Sequence, residues 1–117
     1  MKRNQKIESE LQRVLAELIA REVKDPRVGN VTITAVTVAA DLSWARVFFV
    51  PFASQNLPHE VLAGLTHAGG FLRGEVGRRL RLRHAPRLEF EFDQSLEAAA
   101  RLTDLIEKAV SGDSRDE

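Results

Sequence analysis

Arginines are concentrated in one short stretch of this chain, and their chemistry suits phosphate. From residue 73 to residue 87 a single carboxylate, Glu75, stands against six arginines: Arg73, Arg78, Arg79, Arg81, Arg83 and Arg87. A guanidinium group is a planar fork of donors that grips phosphate oxygens with two hydrogen bonds and stacks on bases. The stretch therefore indicates a nucleic-acid contact. Charge alone fits equally well a solvated helix face whose arginines pair with Glu89, Glu91 or the acidic C-terminal segment.

Glycines in the same stretch favour the nucleic-acid interpretation. Apolar residues from Val61 to Leu80 recur every three or four positions, which predicts one helix of about 20 residues, bent at Gly69-Gly70. A glycine break lets a phosphate chain approach the backbone, and the second half-helix points its positive end at the break. On a helical wheel centred on the buried Leu72, three arginines lie outside the apolar stripe and one at its edge. The outer three are Arg73, Arg78 and Arg81, and the one at the edge is Arg79.

A second glycine pattern, Gly74-Glu75-Val76-Gly77, spells GxxG, the loop by which KH domains clamp an RNA backbone. Glu75 would place a negative charge against the phosphates there. We therefore expect the break at Gly69-Gly70 rather than at this second pattern.

The remaining elements follow from periodicity. Helical spacing predicts a first helix at about 4–23, and β-branched runs predict strands at 31–41 and 44–52, joined in a hairpin. The alternation slips near Ala35, which indicates a bulge. Asp25 beside Arg27 suggests an ion pair that fixes the connector after the first helix. After the bent helix, which His84-Ala85-Pro86 should stop, we expect a strand at 88–92 and a last helix carrying Ala98 to Ala109. The predicted class is α+β: one three-stranded sheet with helices on one face.

Composition narrows the function. The 117 residues are 44% hydrophobic and 29% charged, with no cysteine and a formal net charge of zero. This balance predicts a single folded domain over 1–110 with a flexible polar tail at 111–117, in the cytoplasm. The three histidines lack metal-ligand spacing and no phosphate-binding loop of the GxxxxGK[ST] type occurs. We therefore expect no catalytic residue, no metal and no cofactor.

Four short blocks stand in order along the chain: Asp25-Pro26-Arg27, Asp41-Leu42 with Ala45 and Val47, Ala68-Gly69-Gly70-Phe71-Leu72-Arg73, and Leu82-Arg83-His84-Ala85-Pro86-Arg87-Leu88-Glu89-Phe90 with Asp93. Together they resemble the ribosome-binding factor A family of bacterial small-subunit assembly factors. The resemblance implies a KH-like fold of the second type, in which an Ala-x-Gly kink replaces the GxxG loop.

The resemblance also implies a function and a site. Family members bind the immature small ribosomal subunit, contact its rRNA, assist its late maturation without catalysis, and matter most in the cold. Carried over by position, the rRNA-facing residues would be Ala68, Gly69, Gly70, Arg73, Arg78, Arg79, Arg81 and Arg83. We expect a monomer that acts away from membranes. The alternative is a protein-interaction module that uses Phe71 and the sheet edge, with arginines that only keep the protein soluble.

Overall fold

Three helices and three strands make up the part of the chain that the computed structural model describes, residues 2–52 and 55–95. Their order is α1 (Lys2–Glu22), β1 (Val31–Val38), β2 (Trp44–Pro51), α2 (Pro58–His67), α3 (Gly69–Arg79) and β3 (Arg87–Phe92). The last helix and the polar tail expected from the sequence lie outside the described residues.

The sheet has the order β1-β2-β3, in which β1 and β2 are antiparallel and β2 and β3 are parallel. The register shifts between Ile33 and Ala35, so the bulge predicted from the broken alternation is confirmed. The parallel pairing requires a crossover from the end of β2 to the start of β3. Helices α2 and α3 form that crossover.

One core holds the helices against a single face of the sheet. Residues from α1, α2 and α3 meet alternate residues of β1 and β2, and each is at most 7% exposed. They include Leu15, Val47, Phe49, Leu65 and Leu72. Burying apolar surface is the main favourable term in folding, so this cluster fixes how the helices sit on the sheet. The prediction of an α+β fold is confirmed, and so is the packing of helices on one face for α1, α2 and α3.

The free edge of β1 is met by polar side chains of α1. Gln12 donates from Nε2 to the carbonyl oxygen of Ile33 at 2.9 Å, and a Glu8 carboxylate oxygen accepts the N–H of Val38 at 3.0 Å. An edge strand otherwise presents unpaired backbone groups. Two of those groups are therefore satisfied within the molecule.

The connector between α1 and β1 is fixed by the predicted ion pair. Arg27 Nη2 lies 2.7 Å from Asp25 Oδ2, and the backbone N–H of Arg27 donates to Oδ1 at 2.9 Å. The side-chain hydrogen bonds from Arg27, followed by this backbone bond, lower the pKa of Asp25 to about 2. Asn56 donates from its side chain to the carbonyls of Pro26 and Arg27. The connector is thus tied to the segment that enters α2.

Candidate nucleic-acid interface

The predicted single bent helix is a pair of helices separated by one residue. α2 ends at His67, Ala68 adopts φ −81° and ψ −2°, and α3 begins at Gly69. Ala68 still donates to Gly64 O at 3.1 Å and accepts from the N–H of Leu72 at 2.9 Å. The break therefore lies where the sequence indicates it, as an interruption of one residue between two helices. At both Gly69 and Gly70 an added Cβ would meet no heavy atom within 4 Å in residues 2–52 and 55–95, so these residues leave the surface at the break open.

The alternative break at Gly74 to Gly77 does not occur. All four residues of that GxxG pattern lie inside α3, and Val76 points into the core with no exposed surface. The prediction that the helix breaks at Gly69-Gly70 and not at the GxxG pattern is therefore confirmed.

The C-terminus of α3 differs from the prediction. We expected His84-Ala85-Pro86 to stop the helix and placed Arg81 on its surface, whereas the helix ends at Arg79. Leu82 N–H bonds Gly77 O at 2.8 Å and Arg81 N–H bonds Arg78 O at 3.3 Å, the two bonds of a Schellman turn. Arg81 has φ 53°, in the left-handed region that glycine usually fills at this position. Arg81 and Arg83 therefore project from the loop beyond the helix.

The arginines of the candidate site are all exposed, but their neighbours differ. Arg73 donates from Nε to the carbonyl oxygen of Ala85 at 3.0 Å, which holds its side chain along the loop. Arg78 pairs with Glu75. Within the described part of the chain, Arg81 and Arg83 form neither an ion pair nor a side-chain hydrogen bond.

Arg79 has a second, structural contact. Its guanidinium lies 3.8 Å from Glu17 of α1 and 3.9 Å from Glu75, and its side chain is 41% exposed against 72% for Arg78. This agrees with its predicted place at the edge of the apolar stripe. Arg79 therefore links α3 to α1.

The competing interpretation, arginines neutralised by the protein's own acids, holds in part. Glu75 and Glu17 contact arginines of α3, but Glu89 contacts Arg46 and Arg87 on the sheet instead. These pairs lie at the surface, where the arginines are 41–72% exposed and the Glu75 side chain is 19% exposed. Surface pairs are weak, of the order of 1 kcal/mol or less, because water and salt screen them. Such pairs do not keep the guanidinium groups from a phosphate partner.

A shallow groove of about 470 Å³ runs between α3 and the loop at 82–85. Its helix wall is made of Gly70, Gly74 and Gly77, and three arginines line it: Arg73, Arg78 and Arg83. The sequence predictions do not include the groove, because they treat Gly74 and Gly77 only as a GxxG pattern. The signal was the spacing of 70, 74 and 77, which places three glycines on one helix face.

Other kinds of site find no support in the ranges 2–52 and 55–95. No group of three His, Asp or Glu side chains there could hold a metal ion. No helix in those ranges is long and apolar enough to span a bilayer.

Comparison with known proteins identifies the family. The model of the family described as ribosome-binding factor A matches residues 3–106. Ribosome-binding factor A of Thioalkalivibrio sulfidiphilus is 48% identical over 111 residues, which cover 95% of this chain and 86% of that protein. The crystal structure of ribosome-binding factor A from Thermus thermophilus matches with a TM-score of 0.68 at 34% identity, covering 76% of this chain and 93% of that one.

A further match is a homology model of the Thermus thermophilus factor as fitted into the cryo-EM map of its complex with 30S. It has a TM-score of 0.61 at 34% identity and covers 73% of this chain and 89% of that one. The family expected from the four sequence blocks is thus confirmed, and so is the KH-like fold. The chain belongs to the ribosome-binding factor A family.

Proposed function

We propose that this protein binds the small ribosomal subunit and assists late maturation of its rRNA without catalysing a reaction. Membership of the ribosome-binding factor A family supports this, and the relative from Thermus thermophilus has been fitted into a map of its 30S complex. Under this proposal the protein acts in the cytoplasm as a monomer and is needed most in the cold.

The observation that carries the proposal is the exposed arginine surface beside an open helix break. The residues proposed to contact rRNA are those predicted from the sequence: Ala68, Gly69, Gly70, Arg73, Arg78, Arg79, Arg81 and Arg83. The break leaves room for a sugar–phosphate chain, and the arginines supply charge-assisted donors. Contacts of this kind fix position and orientation and do not read bases. A maturation factor that holds an rRNA segment in place needs no more than this.

Sedimentation of cell extract on a sucrose gradient tests the function. The protein should travel with free small subunits at low salt and leave them at high salt, because phosphate contacts release counterions. Failure of the wild-type protein to sediment with small subunits would contradict the proposal.

A charge-matched pair of variants tests the surface. Changing Arg73, Arg78 and Arg81 together to Ala should reduce the slope of log affinity against log salt. Each phosphate that is no longer neutralised lowers the slope by about 0.7–0.9, so three lost contacts lower it by up to about two to three. The control replaces Arg13, Arg21 and Arg46, three exposed arginines elsewhere, and should leave the slope unchanged. Equal slopes in a folded triple variant and in the wild type would remove these arginines from the interface.

A protein-interaction module is the second candidate, and the 49% exposure of Phe71 is the observation that favours it. Binding that survives nuclease and moderate salt would identify a protein partner. Binding abolished by nuclease treatment would identify RNA.

A further inference from the structure

The groove between α3 and the loop at 82–85 is open to the backbone of the helix. An added Cβ at Gly70 or Gly74 would meet no heavy atom of the described residues within 4 Å, whereas at Gly77 it would meet Ala85 Cβ at 3.2 Å. Packing within the described part of the chain therefore explains glycine at 77 but not at 70 or 74. The helix wall of the groove at these glycines, called the floor below, carries no side chains. A chain from another molecule can therefore lie against the helix backbone there.

Arginine side chains surround this floor. At about 100° per residue, Arg73 and Arg78 lie on either side of the line through Gly70, Gly74 and Gly77, and Arg83 comes from the facing loop. Arg79 lies on the far side of α3, where it contacts Glu17. Three of the five candidate arginines thus line the groove. The hydrogen bond from Arg73 Nε to Ala85 O already orients one of them.

An exposed aromatic ring lies beside the groove. Phe71 is 49% exposed, and on the α3 wheel it lies roughly 20° from Arg78 and 60° from Gly74. It faces away from Leu72 and Val76, which fill the core. Proteins that bind single-stranded nucleic acids combine a basic groove for the phosphates with aromatic rings on which the bases stack. An exposed phenylalanine next to this groove matches that combination.

Resting on the proposed function, we propose that this groove binds a single-stranded RNA segment. Its phosphates lie against the floor at Gly70 and Gly74 between Arg73, Arg78 and Arg83, and one of its bases stacks on Phe71. A duplex keeps its bases stacked on each other and would leave Phe71 in water, which makes it the poorer occupant. A protein segment would have to present a carboxylate to each of the three guanidinium groups that line the groove, whereas every nucleotide of an RNA strand supplies a phosphate.

Filling the groove tests the proposal. The probe is a labelled single-stranded RNA of about 12 nucleotides, measured by fluorescence anisotropy with the full chain. Gly74→Leu should weaken binding by about tenfold or more, because the side chain occupies the space of the RNA backbone. Ala63→Leu places the same side chain on an exposed position of α2 outside the groove, and should bind as the wild type does. Thermal melts confirm that both variants fold.

Removing the ring tests the stacking contact separately. Phe71→Ala should weaken binding of the single strand by about tenfold, the loss expected for one stacked base, and should change binding of an equally long RNA duplex much less. The matched control is Leu57→Ala, which removes a second large hydrophobic side chain that is exposed among the described residues, at 54%. It should bind both RNAs normally.

The outcomes separate this proposal from the function on which it rests. Wild-type protein that does not sediment with small subunits contradicts the function. If the wild type sediments with small subunits but folded Gly74→Leu and Phe71→Ala bind RNA as the wild type does, the groove is not the RNA-binding site. Phe71→Ala could instead lose subunit binding but bind the single strand normally. That result would mean that Phe71 contacts a ribosomal protein, and it would overturn the stacking contact.

Discussion

Arg81 has a backbone conformation that costs energy for any residue with a Cβ. Its φ of 53° completes the Schellman turn after α3, where glycine is the usual residue. Backbone strain of this kind concentrates at functional sites, where the side chain is needed. The exposed arginine at this point is consistent with a contact to RNA.

Replacing Arg81 by Gly should therefore separate stability from binding. We expect the free energy of unfolding to rise by about 1 kcal/mol, because glycine adopts the left-handed conformation freely. We expect RNA affinity to fall. The slope of log affinity against log salt should decrease by up to about 0.9, the value for one phosphate contact. Denaturant unfolding and anisotropy measure the two effects. Reduced stability of Arg81→Gly would mean that the arginine side chain supports the fold.

Glu75 is the one acidic side chain inside the arginine cluster, and it contacts both Arg78 and Arg79. Glu75→Gln should strengthen RNA binding a few-fold, because it releases two guanidinium groups and removes a charge that repels phosphate. The cost in stability should be about 1 kcal/mol, because both arginine partners are exposed while Glu75 itself is 19% exposed. Glu22→Gln, an exposed acid on α1, is the control for net charge. Weaker binding by Glu75→Gln would mean that Glu75 positions the arginines for RNA.

At the scale of elements, the helix break lies inside the crossover that makes β2 and β3 parallel. Both ends of the pair α2–α3 are therefore anchored in the same sheet, so the open surface at Ala68 to Gly70 is presented on a rigid frame. Leu65 in α2 and Leu72 in α3, both buried, hold the two helices to one core. A site on such elements is positioned more accurately than one on a free loop.

Two glycines of these helices should respond oppositely to alanine. A Cβ at Gly64 would lie 2.7 Å from Val28 Cγ2, whereas one at Gly74 would meet no described residue within 4 Å. Gly64→Ala should therefore lower the free energy of unfolding by about 1–3 kcal/mol through overpacking against the connector. Gly74→Ala should raise it by about 0.5–1 kcal/mol through helix propensity. Chemical denaturation of both variants checks the signs, and a stabilised Gly64→Ala would contradict the close approach.

The connector before β1 gives a pH dependence. The pKa of Asp25 is lowered in the folded state, so its contribution to stability is complete above about pH 4 and is lost as the pH falls toward 2. Asp25→Asn should therefore destabilise the protein at neutral pH and match the wild type near pH 2. In an Arg27→Ala background the same substitution should show a smaller pH dependence, because the Arg27 side chain is the largest cause of the lowered pKa and only the backbone N–H of residue 27 remains. A difference that persists at pH 2 would exclude the ion pair as its source.

Much of this architecture follows from patterns in the sequence, and the exceptions have physical causes. The bulge near Ala35 and the break near Gly69 disturb a local periodicity, so they are visible without a structure. The end of α3 is not, because the turn at Arg81 uses a residue that normally avoids it. The pair Arg79–Glu17 joins residues distant in sequence, and no local pattern encodes it. The glycine spacing at 70, 74 and 77 indicates the helix side of the groove, but not the loop that faces it.

At the scale of the whole molecule, a net charge of zero conceals a separation of charge. Arginines gather at 73–87, while from residue 88 onward acids outnumber bases nine to three. Salt screens charges more than about 8–10 Å apart, so a partner at the arginine surface experiences mainly that surface.

Binding and folding should therefore respond differently to salt. Between 50 and 200 mM salt we expect RNA affinity to fall by about tenfold or more, through counterion release at several phosphates. The free energy of unfolding should change by less than about 1 kcal/mol, since an apolar core holds the described fold and every ion pair there has an exposed arginine. Parallel titrations measure both. Salt-insensitive RNA binding would show that this surface does not grip phosphate.

The contacts from Gln12 and Glu8 to β1 bear on behaviour at high concentration. A second molecule trying to extend the sheet along that strand would first have to displace a helix whose apolar face is buried in its own core. Recruitment of neighbours by strand addition, the first step toward fibrils, is blocked on this side by the chain's own N-terminal segment. Truncating α1 would thus expose a polymerisation surface as well as the core.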